Sequence, residues 1–164
     1  MKKVLMTFMM LAAIVAVSFN VFAAQTAEQL VSFTIGSSNE LSVSGAPGLM
    51  EIIAAAAGED PLDVSDNNTS ISYSTNSSNK KITGDLDSDM PLGVTLRVHI
   101  ASPGGAQGVS QGSQPLSLAS ADLVTGISKA VVQDATITYT LSATTTADPV
   151  DNATRTVTFT MTAD

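Results

Sequence analysis

The chain contains no cysteine, no tryptophan and a single histidine in 164 residues. Without cysteine it can form no thiolate zinc site, no thiol nucleophile and no disulfide framework. One histidine also excludes metal sites that need three imidazoles. Bases are scarce too, because 7 Lys and Arg stand against 15 Asp and Glu, giving a net charge near −8. This balance argues against a nucleic-acid partner, since neutralising phosphates requires many Lys and Arg side chains.

The first segment is predicted to be a secretory signal peptide, residues 1–23. Lys2 and Lys3 give a basic start, and the run 4–21 is almost wholly apolar. Val21 and Ala23 then supply small side chains for a cleavage site. The run is also long enough for a membrane anchor, but the cleavage site and the polar stretch after it favour removal. A short leader beginning Met-Lys-Lys is typical of bacteria, so we expect export to the periplasm and then to the cell surface or medium.

Removal of this leader changes the composition. Lys2 and Lys3 leave with it, so five bases face 15 acids and the net charge becomes −10. We expect residues 24–164 to form one domain without a membrane span. A chain of this length can bury roughly two-thirds of its unfolded surface. With four aromatic residues left, the core must consist mainly of Val, Ile, Leu and Ala.

Alternation of apolar and polar residues dominates the mature chain. Residues 154–162 place Val157, Phe159 and Met161 on one face and threonines on the other, which predicts a strand. By the same pattern, further strands are predicted over 31–35, 41–43, 70–74, 81–86, 94–100, 116–118, 122–127 and 135–141. No long amphipathic helix is evident. The run 49–57 is compatible with a short helix or a buried strand.

Turn-forming residues suggest two hairpins. Residues 76–80 are predicted as the hairpin loop between strands 70–74 and 81–86. Residues 144–153 contain further turn signals, so strands 135–141 and 154–162 are predicted to form an antiparallel hairpin. Short strands separated by turns predict an all-β fold. We expect an immunoglobulin-like β-sandwich of about seven to ten antiparallel strands.

Catalytic motifs are weak. Residues 108–112 match the G-x-S-x-G spacing of a hydrolase nucleophile elbow. That chemistry needs a helix after the serine and a histidine base that follows it in the chain, whereas here His99 precedes Ser110 and the motif lies in a Gly/Gln/Ser-rich loop. His99 is predicted to be a solvent-facing strand residue. We therefore expect no enzyme activity and no catalytic residues.

Two surface features are candidate ligand-binding sites. Asp85, Asp87 and Asp89 have the D-x-D-x-D start of a calcium loop. They lack the glycine and the bidentate glutamate of an EF-hand, which leaves a different calcium site or a solvated turn. The threonine-rich strand faces suit strand geometry by themselves, and flat threonine arrays can also bind polysaccharide or ice. No cofactor is expected, apart from calcium at the aspartates.

The start of the mature chain, 24–36, is the most informative segment. Val31, Phe33 and Ile35 point one way, and Ser32 and Thr34 the other. Such a strand can complete its own sheet. It can also add to a neighbouring subunit, where alternate side chains fill pockets and main-chain hydrogen bonds provide affinity. Head-to-tail insertion of this kind does not close and builds a filament.

With its signal peptide, its alternating arm and its threonine-rich last strand, the chain resembles a bacterial fimbrial (pilus) subunit. The residues that carry the resemblance are Val31, Phe33, Ile35 and the strand 154–162. In such families a periplasmic chaperone lends a strand, and an outer-membrane usher exchanges it for the arm of the next subunit. The resemblance implies a non-catalytic structural subunit whose main partners are copies of itself. The chain lacks the cysteine pair of the disulfide-bearing branches.

A second hypothesis stays open at this point. A monomeric periplasmic or cell-surface β-sandwich that binds carbohydrate or another small ligand would have the same composition and the same strand pattern. The two hypotheses differ in the role of Val31, Phe33 and Ile35, which are donor residues only if the chain assembles with itself.

Overall fold

The computed structural model describes residues 26–53 and 55–164. The predicted signal peptide lies outside this part of the chain. Residues 26–34 and residues 35–164 form separate units. The second unit contains every strand of the described residues, and these are β1 (Asn39–Ser44), β2 (Val64–Thr75), β3 (Lys80–Leu86), β4 (Val94–Ile100), β5 (Val109–Ser110), β6 (Gln114–Pro115), β7 (Ala121–Ile127), β8 (Val131–Ala143) and β9 (Val157–Ala163).

The strands form two antiparallel sheets. The five-stranded sheet has the order β1-β2-β8-β4-β6, and the four-stranded sheet has the order β5-β7-β3-β9. Within the described residues, the only helical element is a single 3-10 turn at Gly105–Gln107. The prediction of an all-β sandwich with seven to ten strands is confirmed.

The core lies between the two sheets and is aliphatic. Alternate side chains of the long strands point inward, because successive residues of a strand face opposite sides. The fully enclosed ones are Ile71, Ile82, Val98, Ile100, Leu123, Val124, Ile127 and Ile137. Tyr73 and Tyr139 are the buried aromatic residues. β-Branched residues predominate because they pack well on a pleated surface.

Neither predicted hairpin exists. Residues 76–79 do separate β2 from β3, but β2 pairs with β1 and β8, whereas β3 pairs with β7 and β9. Likewise, β8 pairs with β2 and β4 while β9 pairs with β3. Both connections therefore cross from one sheet to the other. Alternation and turn residues look the same whether the next strand lies beside its predecessor or faces it across the core.

Three local predictions also need correction. Residues 26–38 contain no strand, so the predicted strand at 31–35 is absent. The described residues of 49–57 form neither a helix nor a strand. The short strand expected at 116–118 lies slightly earlier, at Gln114–Pro115, and Leu116 is buried just after it. Strands at 94–100 and 122–127 are confirmed as β4 and β7.

Candidate functional site

The predicted donor residues lie in an extended, exposed stretch. Val31, Phe33 and Ile35 are 71%, 81% and 79% exposed, and Leu30 is 91% exposed. Within residues 26–34 no residue belongs to a strand. Exposure of so many large apolar side chains in a short stretch is unfavourable in water, and burying each would gain about 1.5–3 kcal/mol. This stretch is suited to be covered by another surface.

The point where this stretch joins the sandwich is fixed by Asn76. Its side-chain amide donates to the carbonyl oxygen of Gly36 over 2.7 Å and accepts from the backbone amide of Ser38 over 2.9 Å. The backbone amide of Asn76 also donates to the carbonyl oxygen of Ser38 over 3.2 Å. The chain therefore leaves the sandwich beside the loop between β2 and β3.

One side of the sandwich has two unpaired strand edges. β1 pairs only with β2, and β9 pairs only with β3, within the described residues. β1 and β9 lie close to each other across the two sheets. We call this side, with residues 39–44 and 157–163, the open side. A free strand edge presents unpaired N–H and C=O groups and is a template for pairing with another strand.

The apolar side chains of the open side are incompletely covered. Val157, Phe159 and Met161 pack against the core from β9, and Leu41 does so from β1, yet all four are only half-buried. Val43, farther along β1, is 46% exposed. By contrast, the inward-facing residues of the inner strands of both sheets are buried almost completely. The hydrophobic core is thus less well sealed along this side.

A second opening lies at one end of the sandwich. A cleft of about 680 Å³ is bounded by the ends of β4 and β8, by residues 49–53 and by the loop after β8. Its apolar wall includes Met50, Met90, Val94 and Leu141. Its polar groups include Glu51, Asp148, Asp151 and Arg155. We call this opening the end cleft.

Arg155 is held by backbone oxygens at the end cleft. Its Nε donates to the carbonyl oxygen of Asp89 over 2.9 Å, and one terminal nitrogen donates to the carbonyl oxygen of Thr154 over 2.7 Å. In the described part of the chain, the one ion pair joins Lys81 and Asp122 over 3.0 Å, far along the sheet. The guanidinium therefore organises the loop.

The structure does not bring the hydrolase-like motif together with its histidine. Ser110 lies on β5 in the four-stranded sheet, whereas His99 lies on β4 in the five-stranded sheet. The Ser110 hydroxyl accepts a hydrogen bond from the backbone amide of Gly112 over 3.3 Å, as in a turn. His99 is half-buried and alternates with the buried Val98 and Ile100, so it faces away from the core.

Two of the three candidate calcium ligands have side-chain carboxylates with separate structural partners. Asp85 accepts from the Ser120 hydroxyl over 3.0 Å. Asp87 accepts from the backbone amide of Thr156 over 3.1 Å, and this bond holds the pKa of its carboxyl below the ordinary value. Among the described residues, no three His, Cys, Asp or Glu side chains are grouped to hold a metal ion. Calcium at Asp85, Asp87 and Asp89 stays a prediction from the sequence.

The threonine rows belong to different sheets. Thr158, Thr160 and Thr162 are exposed on β9, while Thr136 and Thr138 face outward from β8 in the other sheet. The two rows therefore do not merge into one flat array.

Sequence reasoning found the exposed arm but missed both openings. No local signal marked the open side, because which strands lie at a sheet edge depends on pairing between residues distant in the chain. The signal for the end cleft was the apolar run at 49–57, whose described residues form no regular element.

Comparisons with known proteins add no relative. No family model, no curated protein and no solved structure matches the chain. Across the described residues no helix is both long enough and apolar enough to cross a membrane.

Proposed function

We propose that this protein is an exported, non-catalytic structural subunit of a fimbria-like polymer, which assembles by β-strand exchange. The observation that carries the proposal is the pair of unsatisfied surfaces on one chain. Val31, Phe33 and Ile35 alternate and are exposed, and the open side offers an unpaired strand with half-buried apolar residues.

The two surfaces match in period and length. The arm presents three apolar residues at every second position, and β9 presents Val157, Phe159 and Met161 at the same spacing. A strand laid along the free edge of β9 would form main-chain hydrogen bonds along its seven residues. Its alternate side chains would at the same time cover the half-buried residues between β1 and β9. Both gains come from one insertion.

Insertion into a second copy makes a contact that does not close. The donor surface and the acceptor surface are different parts of the chain, so each subunit can give one arm and receive another. This repeats indefinitely and produces a fibre. Before assembly, the open side needs protection, and a periplasmic chaperone that lends a strand and an outer-membrane usher are the partners that we propose for this step.

The experiment compares two arm variants of residues 24–164. Phe33→Asp adds a charge to the inserting face, whereas Thr34→Asp adds the same charge to the opposite face. Burying an unpaired carboxylate is costly, so light scattering should detect polymers for the wild type and Thr34→Asp, but monomers for Phe33→Asp. A synthetic peptide of residues 26–36 should bind the Phe33→Asp protein and shift amide resonances of β9. Equal assembly by the two variants would falsify strand exchange.

The alternative is a monomeric ligand-binding module, and the end cleft is the observation that favours it. A wild-type chain that stays monomeric at high concentration and binds no arm peptide would favour this alternative. Carbohydrate or small-molecule binding at the end cleft would then be the next measurement.

A further inference from the structure

The sandwich has two ends, at opposite ends of its long strands, and these ends differ in charge. The end that contains the cleft also carries exposed carboxylates, among them Glu51, Asp60, Asp87, Asp89, Asp148 and Asp151. The loops of this end, 45–63, 87–93 and 144–156, contain one base, Arg155. We call it the acidic end.

The opposite end carries every lysine that follows the predicted leader. Lys80 begins β3 and pairs in register with Ala163, and Lys81 follows it. The backbone amide of Lys129 donates to the carbonyl oxygen of Ser77 over 2.9 Å, which places it on the neighbouring loop. Asn76, which binds Gly36 and Ser38, lies at the same end. The arm therefore leaves the sandwich at what we call the lysine end.

From these observations we infer that the end cleft docks the lysine end of a second copy of this chain, so that subunits stack head to tail. This inference rests on the proposed strand exchange and adds to it a second contact between the sandwiches themselves. It assigns an occupant to the end cleft and a direction to the fibre.

Charge determines which end of a second copy docks in the end cleft. Two acidic ends brought together would place like charges against each other, which disfavours a symmetric dimer through the cleft. The lysine end is close to neutral, because Lys80 and Lys129 lie near Glu40 and Asp164, and Lys81 is paired with Asp122. It therefore meets the acidic end without the repulsion of a second acidic end, and it also exposes apolar side chains, since Ile35 is 79% and Val131 65% exposed. The acidic end offers matching apolar surface, because Leu49 and Ile53 at the cleft are each 79% exposed.

The direction of strand insertion agrees with the same contact. Every pairing in both sheets is antiparallel, so we take the inserted arm to run antiparallel to β9. β9 starts at the acidic end, where Val157 pairs with Leu86, and finishes at the lysine end, where Ala163 pairs with Lys80. An antiparallel arm then finishes, at Ile35, beside Val157. The sandwich attached to that arm begins there, with its lysine end facing the acidic end of the acceptor.

Cross-linking of assembled residues 24–164 tests the contact directly. A carbodiimide joins an amine to a carboxylate without a spacer, so it reports only touching groups. β3 runs between the two ends over seven residues, from Lys80 to Leu86, and at about 3.3 Å per residue these ends lie roughly 20 Å apart. A bond from Lys80 or Lys129 to a carboxylate of the acidic end must therefore join two subunits. The Lys81–Asp122 pair within one subunit serves as the internal positive control.

Two variants test the energetics, each with a matched control. Lys129→Glu reverses a charge at the lysine end, and Arg97→Glu makes the same change in the middle of β4. Leu49→Asp places a charge in the end cleft, and Thr136→Asp places one on the outer face of β8. We expect the two end variants to weaken assembly by about tenfold or more, which corresponds to ~1.4 kcal/mol per contact. The controls should assemble like the wild type.

The outcomes separate this inference from the proposed function. Polymers that depend on Phe33 but show no lysine-to-acidic-end cross-links, and that form equally with Leu49→Asp, overturn the end contact and leave strand exchange standing. Polymers that show the cross-links but persist in Phe33→Asp overturn strand exchange and support the end contact. Cross-links together with sensitivity to Phe33→Asp, Leu49→Asp and Lys129→Glu support both.

Discussion

Tyr73 on β2 donates its phenolic hydrogen to the carbonyl oxygen of Gln107 over 2.7 Å. Gln107 lies in the 3-10 turn that leads into β5, so this bond connects the five-stranded sheet to a segment entering the other sheet. The Gln107 side chain in turn donates to the carbonyl oxygen of Val131 over 3.1 Å. The Tyr73 hydroxyl thus stabilises the segment that connects the two sheets.

Tyr73→Phe removes this bond and keeps the ring. We expect a loss of about 0.5–1.5 kcal/mol in the free energy of unfolding, the usual net contribution of one hydrogen bond. Urea unfolding at pH 7 measures it. The matched control is Tyr139→Phe, because no hydrogen bond to the Tyr139 hydroxyl occurs among the described residues, and a smaller change is expected there.

The Tyr139 hydroxyl predicts a loss of stability in alkali. Burial raises its pKa to about 12, whereas an unfolded tyrosine titrates near about 10. Between these two pKa values, the tyrosine loses its proton in the unfolded chain but keeps it in the folded chain. The contribution of Tyr139 to the free energy of unfolding is therefore complete below about pH 10 and disappears as the pH rises towards 12. Urea unfolding at pH 8 and pH 11 should show a smaller loss for Tyr139→Phe than for the wild type. Equal losses would contradict the assignment.

The ionised carboxylate of Asp87 is expected to stabilise the fold at neutral pH and to lose this effect in acid. The backbone amide of Thr156 donates to its carboxylate and lowers its pKa. A lowered folded pKa gives stability that is present above the unfolded value, near about 3.9, and is lost as the pH falls through the folded value. Asp87→Asn should therefore be less stable than the wild type at pH 7, with a difference that vanishes in acid. A difference independent of pH would exclude the charge as its cause.

Gly108 tolerates no side chain. Its φ is +105°, and an added Cβ would lie 2.6 Å from Cγ1 of Val124 and 2.7 Å from Cγ1 of Ile127. Gly108→Ala adds overpacking of about 1–3 kcal/mol to the cost of the backbone conformation. Gly112→Ala is the control, since Gly112 also has a positive φ but open space around it. Thermal unfolding should rank Gly108→Ala well below Gly112→Ala.

Calcium binding at the three aspartates can be measured on the folded protein. Asp85, Asp87 and Asp89 are engaged separately by Ser120, by Thr156 and, through a backbone oxygen, by Arg155. The prediction of calcium binding is tested by adding calcium to residues 24–164, and an unchanged melting temperature would count against it. A concentration-dependent increase, lost in Asp89→Asn, would instead show that the loop binds the ion.

Alternation in the sequence was sufficient for most of the long strands and their inward faces, but it also predicted a strand at 31–35 that is absent. Val94–Ile100 is β4, and its residues Leu96, Val98 and Ile100 are buried as predicted. Alternation also placed Val31, Phe33 and Ile35 on one face, but it left open whether that face completes its own sheet or adds to a neighbouring subunit. The exposure of these side chains is known only from the structure. The two openings could not be predicted either, because each is formed by residues distant in the chain.

By itself, the sequence determined that this protein is an all-β sandwich with an aliphatic core, because a period of two sorts side chains inward and outward regardless of their neighbours. Tertiary structure alone decided which strands are neighbours. It placed β8 and β9 in different sheets and left the second edge of β9 unpaired. It also collected the acidic loops at one end and the lysines at the other. Pairing and charge segregation depend on long-range packing, which a local pattern does not contain.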